Sequence, residues 1–317
     1  MEELKGVPRN VYFESLVNCV GFSDKSNTIF VCCQDGLMRH YNPHTLNVTY
    51  EHTVSYDGSK YNEQDGIGIS NAAYCSATDI VAVVFACPYI DGVDQFIMLY
   101  DTIKGNLCQK LKLPYYSIMA ISFSGNGKYI IINTAKGDVY FYDITKAPDP
   151  KGLSCIKDAY SVSLSSNGKY SAIVYIRGIL SILDTESAEE VAKIDLGKSA
   201  IISTVFSDDD KYLICGGLGR PLFVLETTTY GNVHCILQEY TYSIAYNSKR
   251  DILAGGGRDG KTYFWCLASG SIIHTVNAPE RPPNVCLEYK TSSIAFDSTG
   301  QMAVCGINNN LIQVVSI

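Results

Sequence analysis

Seven times along this chain an apolar or aromatic residue is followed by a polar one, and at a set distance a second such pair follows. The first pair falls at Phe22-Ser23, Tyr74-Cys75, Phe123-Ser124, Leu164-Ser165, Phe206-Ser207, Tyr246-Asn247 and Phe296-Asp297. The second falls at Tyr41-Asn42, Tyr100-Asp101, Tyr142-Asp143, Leu183-Asp184, Leu225-Glu226, Trp265-Cys266 and Val315-Ser316. The two pairs are 19 residues apart in every repeat except the second, where the gap is 26. Successive repeats start 52, 49, 41, 42, 40 and 50 residues apart. A period near forty, with short alternating strands and a Gly turn inside each unit, reads as four-stranded blades arranged in a ring.

The unit Gly256-Gly257-Arg258-Asp259-Gly260-Lys261-Thr262-Tyr263-Phe264-Trp265 resembles a WD40 repeat, with its Asp-Gly turn running into a strand that ends in Trp. Lys136-Gly137 to Tyr142-Asp143 and Arg177-Gly178 to Leu183-Asp184 keep that frame, and the resemblance covers nearly the whole chain. It implies an all-β, seven-bladed WD40-type β-propeller forming one domain over residues 1–317. The Gly-His dipeptide usual in the family occurs nowhere, so its network of His, Asp, Ser and Trp side chains is expected to be missing. Apolar packing must then hold the blades. The last repeat stops at Val315-Ser316-Ile317, where a third strand should finish. The family pattern implies that the segment Lys5 to Glu14 supplies the missing outer strand and closes the ring, which removes two open sheet edges.

With 46% apolar residues in 317, such a ring can bury ample core. Met1-Glu2-Glu3-Leu4-Lys5 lacks a signal peptide's basic start and apolar run. The longest apolar run, Ile80 to Cys87, is far below a membrane span and reads as a second strand. The twelve cysteines include no Cys-x-x-Cys, and Cys32, Cys33, Cys87, Cys215 and Cys305 fall in expected second strands, where free thiols act as small hydrophobes. A reducing compartment, nuclear or cytoplasmic, is expected. The net charge of −7 argues against nucleic acid as the main ligand.

Gly255 to Thr262 matches the phosphate-loop pattern Gly-x-x-x-x-Gly-Lys-Thr letter for letter. That pattern works when loop amides and a following helix surround phosphates. Here strand-forming Tyr263-Phe264-Trp265 follows, so a blade hairpin is expected and nucleotide binding is the weaker alternative. His40, His44, His52, His234 and His274 show no metal spacing. Asp208-Asp209-Asp210 sits where other repeats have Gly-Asn-Gly or Ser-Asn-Gly, and reads as a solvated turn rather than a calcium loop. No cofactor, metal or catalytic group is expected; the chain reads as a non-enzyme.

A binding surface remains. In WD40 propellers the connections entering each first strand share the upper face with the turns between second and third strands. The second repeat's insertion, Pro88 to Gln95, and the long connection Glu51 to Gly66 belong there. They offer Tyr56, Tyr61 and Tyr89 beside Asp91 and Asp94, an interface-like mixture whose bland alternative is a solvated loop. Lys136, Arg177, Arg220 and Arg258 occupy turns of four consecutive blades and would make a basic arc opposite, unless they are only scattered turn charges. Protein partners in a multi-subunit complex are implied.

Within the family the chain also resembles the small single-propeller subunit shared by COMPASS-type histone methyltransferase complexes and the cleavage/polyadenylation machinery. The likeness rests on Gly66-Ile67-Gly68-Ile69, the Pro-containing link after Tyr142-Asp143, and Asn308-Asn309-Asn310 in place of Asp-Gly. A scaffold of translation initiation, a vesicle coat or a ubiquitin-ligase adaptor is the alternative. The Arg-Arg motif of phosphoinositide-binding propellers and the Trp-Asp-x-Arg of cullin-ligase receptors are both missing from the sequence.

Overall fold

Second strands of the expected blades read as nearly unbroken apolar runs because both of their faces are buried. In the computed structural model these runs are Thr28–Cys33, Ile80–Ala86, Tyr129–Thr134, Tyr170–Tyr175, Tyr212–Leu218, Ile252–Gly256 and Met302–Ile307. The structure describes residues 8–54, 68–86, 95–113, 117–146, 151–152, 158–175, 177–197, 200–218, 221–236, 241–257, 259–279, 291–307 and 310–317. Among them lie seven four-stranded antiparallel sheets and no helix.

Alternate side chains of each second strand serve different neighbours. Ile29, Val31 and Cys33 enter the core between blades 7 and 1, while Phe30 and Cys32 enter the core between blades 1 and 2. Ile130 and Ile132 pack against blade 2, and Ile131 against blade 4. Leu213 and Cys215 face blade 4, and Ile214 faces blade 6. Trp265 is 1% exposed in the core between blades 5 and 6, against Ile214 and Leu253. Apolar packing between blades therefore joins them, as the sequence implies.

First strands line the centre of the ring, each touching the first strands of the blades on either side, and the contact between Val17–Ser23 and Thr291–Phe296 completes the circle. Blade 7 takes its outer strand from the start of the chain: Arg9–Tyr12 pairs antiparallel with Leu311–Ser316, from Arg9 opposite Val314 to Tyr12 opposite Leu311.

The repeated polar letters prove to be turn locks. The Ser124, Ser165 and Ser207 hydroxyls accept the N–H five residues on, from Tyr129, Tyr170 and Tyr212, at 3.0, 2.8 and 2.9 Å. Asp297 does the same for Met302 at 2.9 Å. In all seven blades this turn holds a residue with positive φ, at Asn27, Asp79, Gly127, Gly168, Asp210, Asp251 and Gly300. Gly, Asn and Asp are the residues that tolerate that region at least cost. The second pair caps the turn into the fourth strand: Asn42 accepts from His44 and Thr45, Asp101 from Ile103 and Lys104, and Asp184 from Glu186 and Ser187.

The first turns also join blade to blade along the lower face. Asn126 donates to Ser166 O at 2.9 Å, Asp208 accepts from Ser248 N at 3.2 Å, and Lys249 donates to Ser298 O at 2.7 Å. The three aspartates of blade 5 divide this work. Asp208 reaches forward to blade 6, Asp210 reaches back to the amides of Ser166 and Asn167, and Asp209 closes its own turn through Ser207 and Lys211. Asp208 and Asp209 are exposed, as a solvated turn requires, while Asp210 is half-buried.

Trp265→Ala should destabilise the protein by roughly 3–5 kcal/mol in urea titrations, from lost burial plus the cavity left behind. Ser165→Ala should cost about 1–3 kcal/mol in the same assay, because the Tyr170 N–H loses its acceptor.

Candidate functional site

The upper mouth of the central channel is shaped by one repeated irregularity. In six sheets the pairing of first and second strands slips by one residue near the strand's start, between Val17 and Cys19, Ile69 and Asn71, Ile118 and Ala120, Ala159 and Ser161, Ile201 and Ser203, and Thr291 and Ser293. A bulge of this kind leaves one residue unpaired and re-aims it. The residues so placed are Asn18, Ser70, Met119, Tyr160, Ile202 and Ser292. In blade 6 Tyr242 takes the position, donating its N–H to Gly256 O at 2.9 Å.

Below this rim the first strands enclose a cavity of about 310 Å³. Among the described residues its wall carries hydroxyls and one amide, with Asn71, Ser122, Ser161, Ser203 and Ser243 among them, and no acidic or basic residue. Several of these groups bond across blades. Asn71 donates to Met119 O at 3.3 Å, Ser161 and Thr204 share a hydrogen bond of 3.2 Å, and Ser243 donates to Thr291 O at 3.2 Å.

Of the residues proposed from sequence, Lys136 and Arg177 lie in exposed turns between the second and third strands of adjacent blades 3 and 4. The Lys136-Gly137 turn rests against blade 4, where a side chain at Gly137 would come within 2.2 Å of Asp158 N. Asp138 follows Lys136, and Asp195 pairs with Ile179 beside Arg177, so carboxylates alternate with the bases on this part of the arc. Tyr56, Tyr61, Tyr89, Asp91, Asp94, Arg220 and Arg258 lie outside the described residues, as does Cys87. The sequence reading passed over Met119 and Tyr160. The available signal was a large apolar residue out of phase at the start of a first strand, in Ile118-Met119-Ala120 and Ala159-Tyr160-Ser161.

The phosphate-loop letters fold as a hairpin. Gly256 pairs with Thr262 across it, and Gly257 N donates to Lys261 O at 2.8 Å. Thr262 is buried, its hydroxyl 3.3 Å from that of Thr291, so it does not face a ligand. The glycines are needed for close packing: a Cβ at Gly255 would meet the Trp265 ring at 2.9 Å, and one at Gly256 would meet Thr291 at 2.2 Å.

Among the described residues no group of three metal-ligating side chains forms and every cysteine is a free thiol. Burial pushes the Cys19, Cys33, Cys215 and Cys305 thiols up to about 12, which keeps them protonated and unreactive.

His40 is fully buried between blades 1 and 2. Its Nδ1 lies 2.7 Å from Thr28 Oγ1 and its Nε2 has no partner. Burial lowers its pKa from 6.5 to about 4; Asp79 and Asp101 oppose that shift and His52 adds to it. The unfolded chain therefore binds the extra proton first, and stability is lost as pH falls from about 6.5 towards 4, by up to roughly 3 kcal/mol. The urea midpoint should drop across that window in the wild type and drop less in His40→Gln.

Compared with known proteins, the chain matches the profile of the WD domain, G-beta repeat over residues 9–42. That span takes the outer strand of blade 7 and the three inner strands of blade 1, so the sequence repeat straddles two blades. No curated protein matches the chain. Among solved structures, a chain in a crystal structure of the mitotic checkpoint complex superposes with a TM-score of 0.79, covering 100% of this chain and 94% of that one at 11% identity. That likeness shows the fold. The protein is a β-propeller of seven blades.

Proposed function

We propose that the protein is a non-catalytic scaffold that holds protein partners within a larger complex, in the nucleus or cytoplasm. The observation that carries this reading is the closed ring. Its polar turns are spent on joining blades, and its best match to a catalytic motif is spent on a strand hairpin with Thr262 buried. A rigid ring of this kind presents loops in fixed relative positions, which suits recognition.

The finer reading is a subunit of a histone methyltransferase or RNA 3′-end processing complex. It is supported by the Pro-containing link after blade 3, the second-blade insertion and the Asn-rich last turn, which resemble that subunit. Tyr56, Tyr61, Tyr89, Asp91 and Asp94, with Lys136, Arg177, Arg220 and Arg258, are the proposed partner contacts. A scaffold of another cytoplasmic or nuclear complex is the second reading.

Tagged wild type and a Tyr89→Ala/Asp91→Lys variant should be compared in pull-downs from nuclear and cytosolic extracts. Methyltransferase or 3′-end processing subunits should be recovered by the wild type and lost by the variant, with thermal unfolding unchanged. A different stable complex would replace the finer reading and keep the scaffold. Absence of any stable partner from both extracts would overturn the scaffold itself.

A further inference from the structure

The outer strands of the seven blades are unequally protected. Each leaves one row of peptide groups facing outward, and natural sheets blunt such edges with charge, short length or a bulge. Blade 7 presents only Arg9–Tyr12 and blade 3 only Lys151–Gly152. Blade 1 carries Glu51 on its outer strand, blade 2 carries Lys110 and Lys112, and blade 4 carries Glu190, Lys193 and Asp195. Blade 5 is uncharged over the five residues Asn232–Ile236. Blade 6 is uncharged over the seven residues Ser271–Asn277, and no Asp, Glu, Lys or Arg occurs from Thr262 to Pro279.

This strand of blade 6 also has the composition of a pairing strand. Ile272, Ile273, Thr275 and Val276 are β-branched, and Ile272 is 54% exposed. Ala278 N–H donates to Gly260 O, so the antiparallel ladder turns the peptide groups of Thr275 and Asn277 away from the sheet. At the upper end the edge is closed, because the Gln313 amide of blade 7 donates to Asn277 O at 3.1 Å. From Ser271 to Thr275 no described strand pairs with the outer side.

We propose that this edge joins a second copy of the chain, strand against antiparallel strand, so that two rings lie side by side with one sheet running through both sixth blades. The surface is separate from the partner contacts proposed above, and the inference does not rest on them. An open edge takes an extended segment through main-chain hydrogen bonds. Self-pairing further requires that a strand accept its own sequence reversed. Centred on His274, the pairing sets Ile273 against the copy's Thr275 and brings no like charges together. Paired over their full lengths, the outer strand of blade 2 would set Lys110 against itself, and that of blade 4 would set Glu190 against Asp195. Outer strands lie on the circumference, so two rings can touch at a single blade. A twofold pairing occupies the edge on both copies and stops at two. With about four main-chain hydrogen bonds and the burial of Ile272, the interface is small, and a dissociation constant on the order of 100 µM follows.

Sedimentation equilibrium of the protein from about 1 to 500 µM should show a reversible monomer–dimer transition. Thr275→Pro removes an outward N–H and no ladder bond, and Ile272→Lys places a charge on the edge. Each should raise the dissociation constant by about tenfold or more. Val48→Lys lies at the matching position of blade 1, opposite Tyr41 as Ile272 is opposite Trp265, and should change it by less than about twofold. Amide exchange over residues 271–277 should slow as the protein concentration rises. Thermal unfolding checks that the variants fold, and Ile272→Lys carries the test alone if Thr275→Pro does not.

A monomer at every concentration would overturn the assignment, including one whose blade 6 edge takes up a strand of another protein instead. So would a dimer of undiminished affinity in Ile272→Lys, equal weakening in Val48→Lys, growth beyond two copies, or amide exchange over 271–277 that ignores concentration.

Discussion

Every other feature of this ring depends on second strands that bury both faces. No blade owns a core. Ile131 belongs with blade 4 and its neighbours Ile130 and Ile132 with blade 2, so each core is assembled half from one sheet and half from the next. Each such side chain contributes about 1.5–3 kcal/mol when fully buried, but only if the adjacent blade is present. A row of blades would leave one apolar face bare at each end, and the closed circle leaves none. The circle in turn fixes where the first strands point, and so the channel and its rim.

That dependence explains which parts of the structure were legible in the sequence. The 19-residue cadence is legible because its polar members lock turns: Ser165 holds Tyr170 N, and Asp184 holds Glu186 N and Ser187 N. Each turn needs its acceptor, so the letters recur along the chain as a visible frame. The runs Ile80–Ala86 and Tyr129–Thr134 were equally visible because two buried faces favour apolar residues at most positions. Trp265 went where the cadence placed it.

The candidate site was far less visible. A strand bulge leaves only a phase slip of one residue, and a single Met119 or Tyr160 at the start of a strand reads as ordinary alternation. The lower-face belt was hidden for a different reason. Asp208, Asp209 and Asp210 are chemically identical, yet each serves a different blade through the angle at which the turn presents it. Gly255 to Thr262 teaches the converse. A complete motif can arise from packing alone, since two of its glycines are required by the Trp265 ring and by Thr291.

The joint between Arg9–Tyr12 and Leu311–Ser316 gives the molecule a history as well as a shape. Beside it, Asn310 and Glu14 are bonded across 296 residues of chain. Contacts of such separation come late and slowly, after the loop between them has been ordered. On the ribosome the first strand must wait, unpaired, until the last blade emerges, while each intermediate arc exposes an apolar flank. An unfinished ring is thus the form of this protein most exposed to aggregation, and the pairing of Arg9–Tyr12 with Leu311–Ser316 ends that exposure.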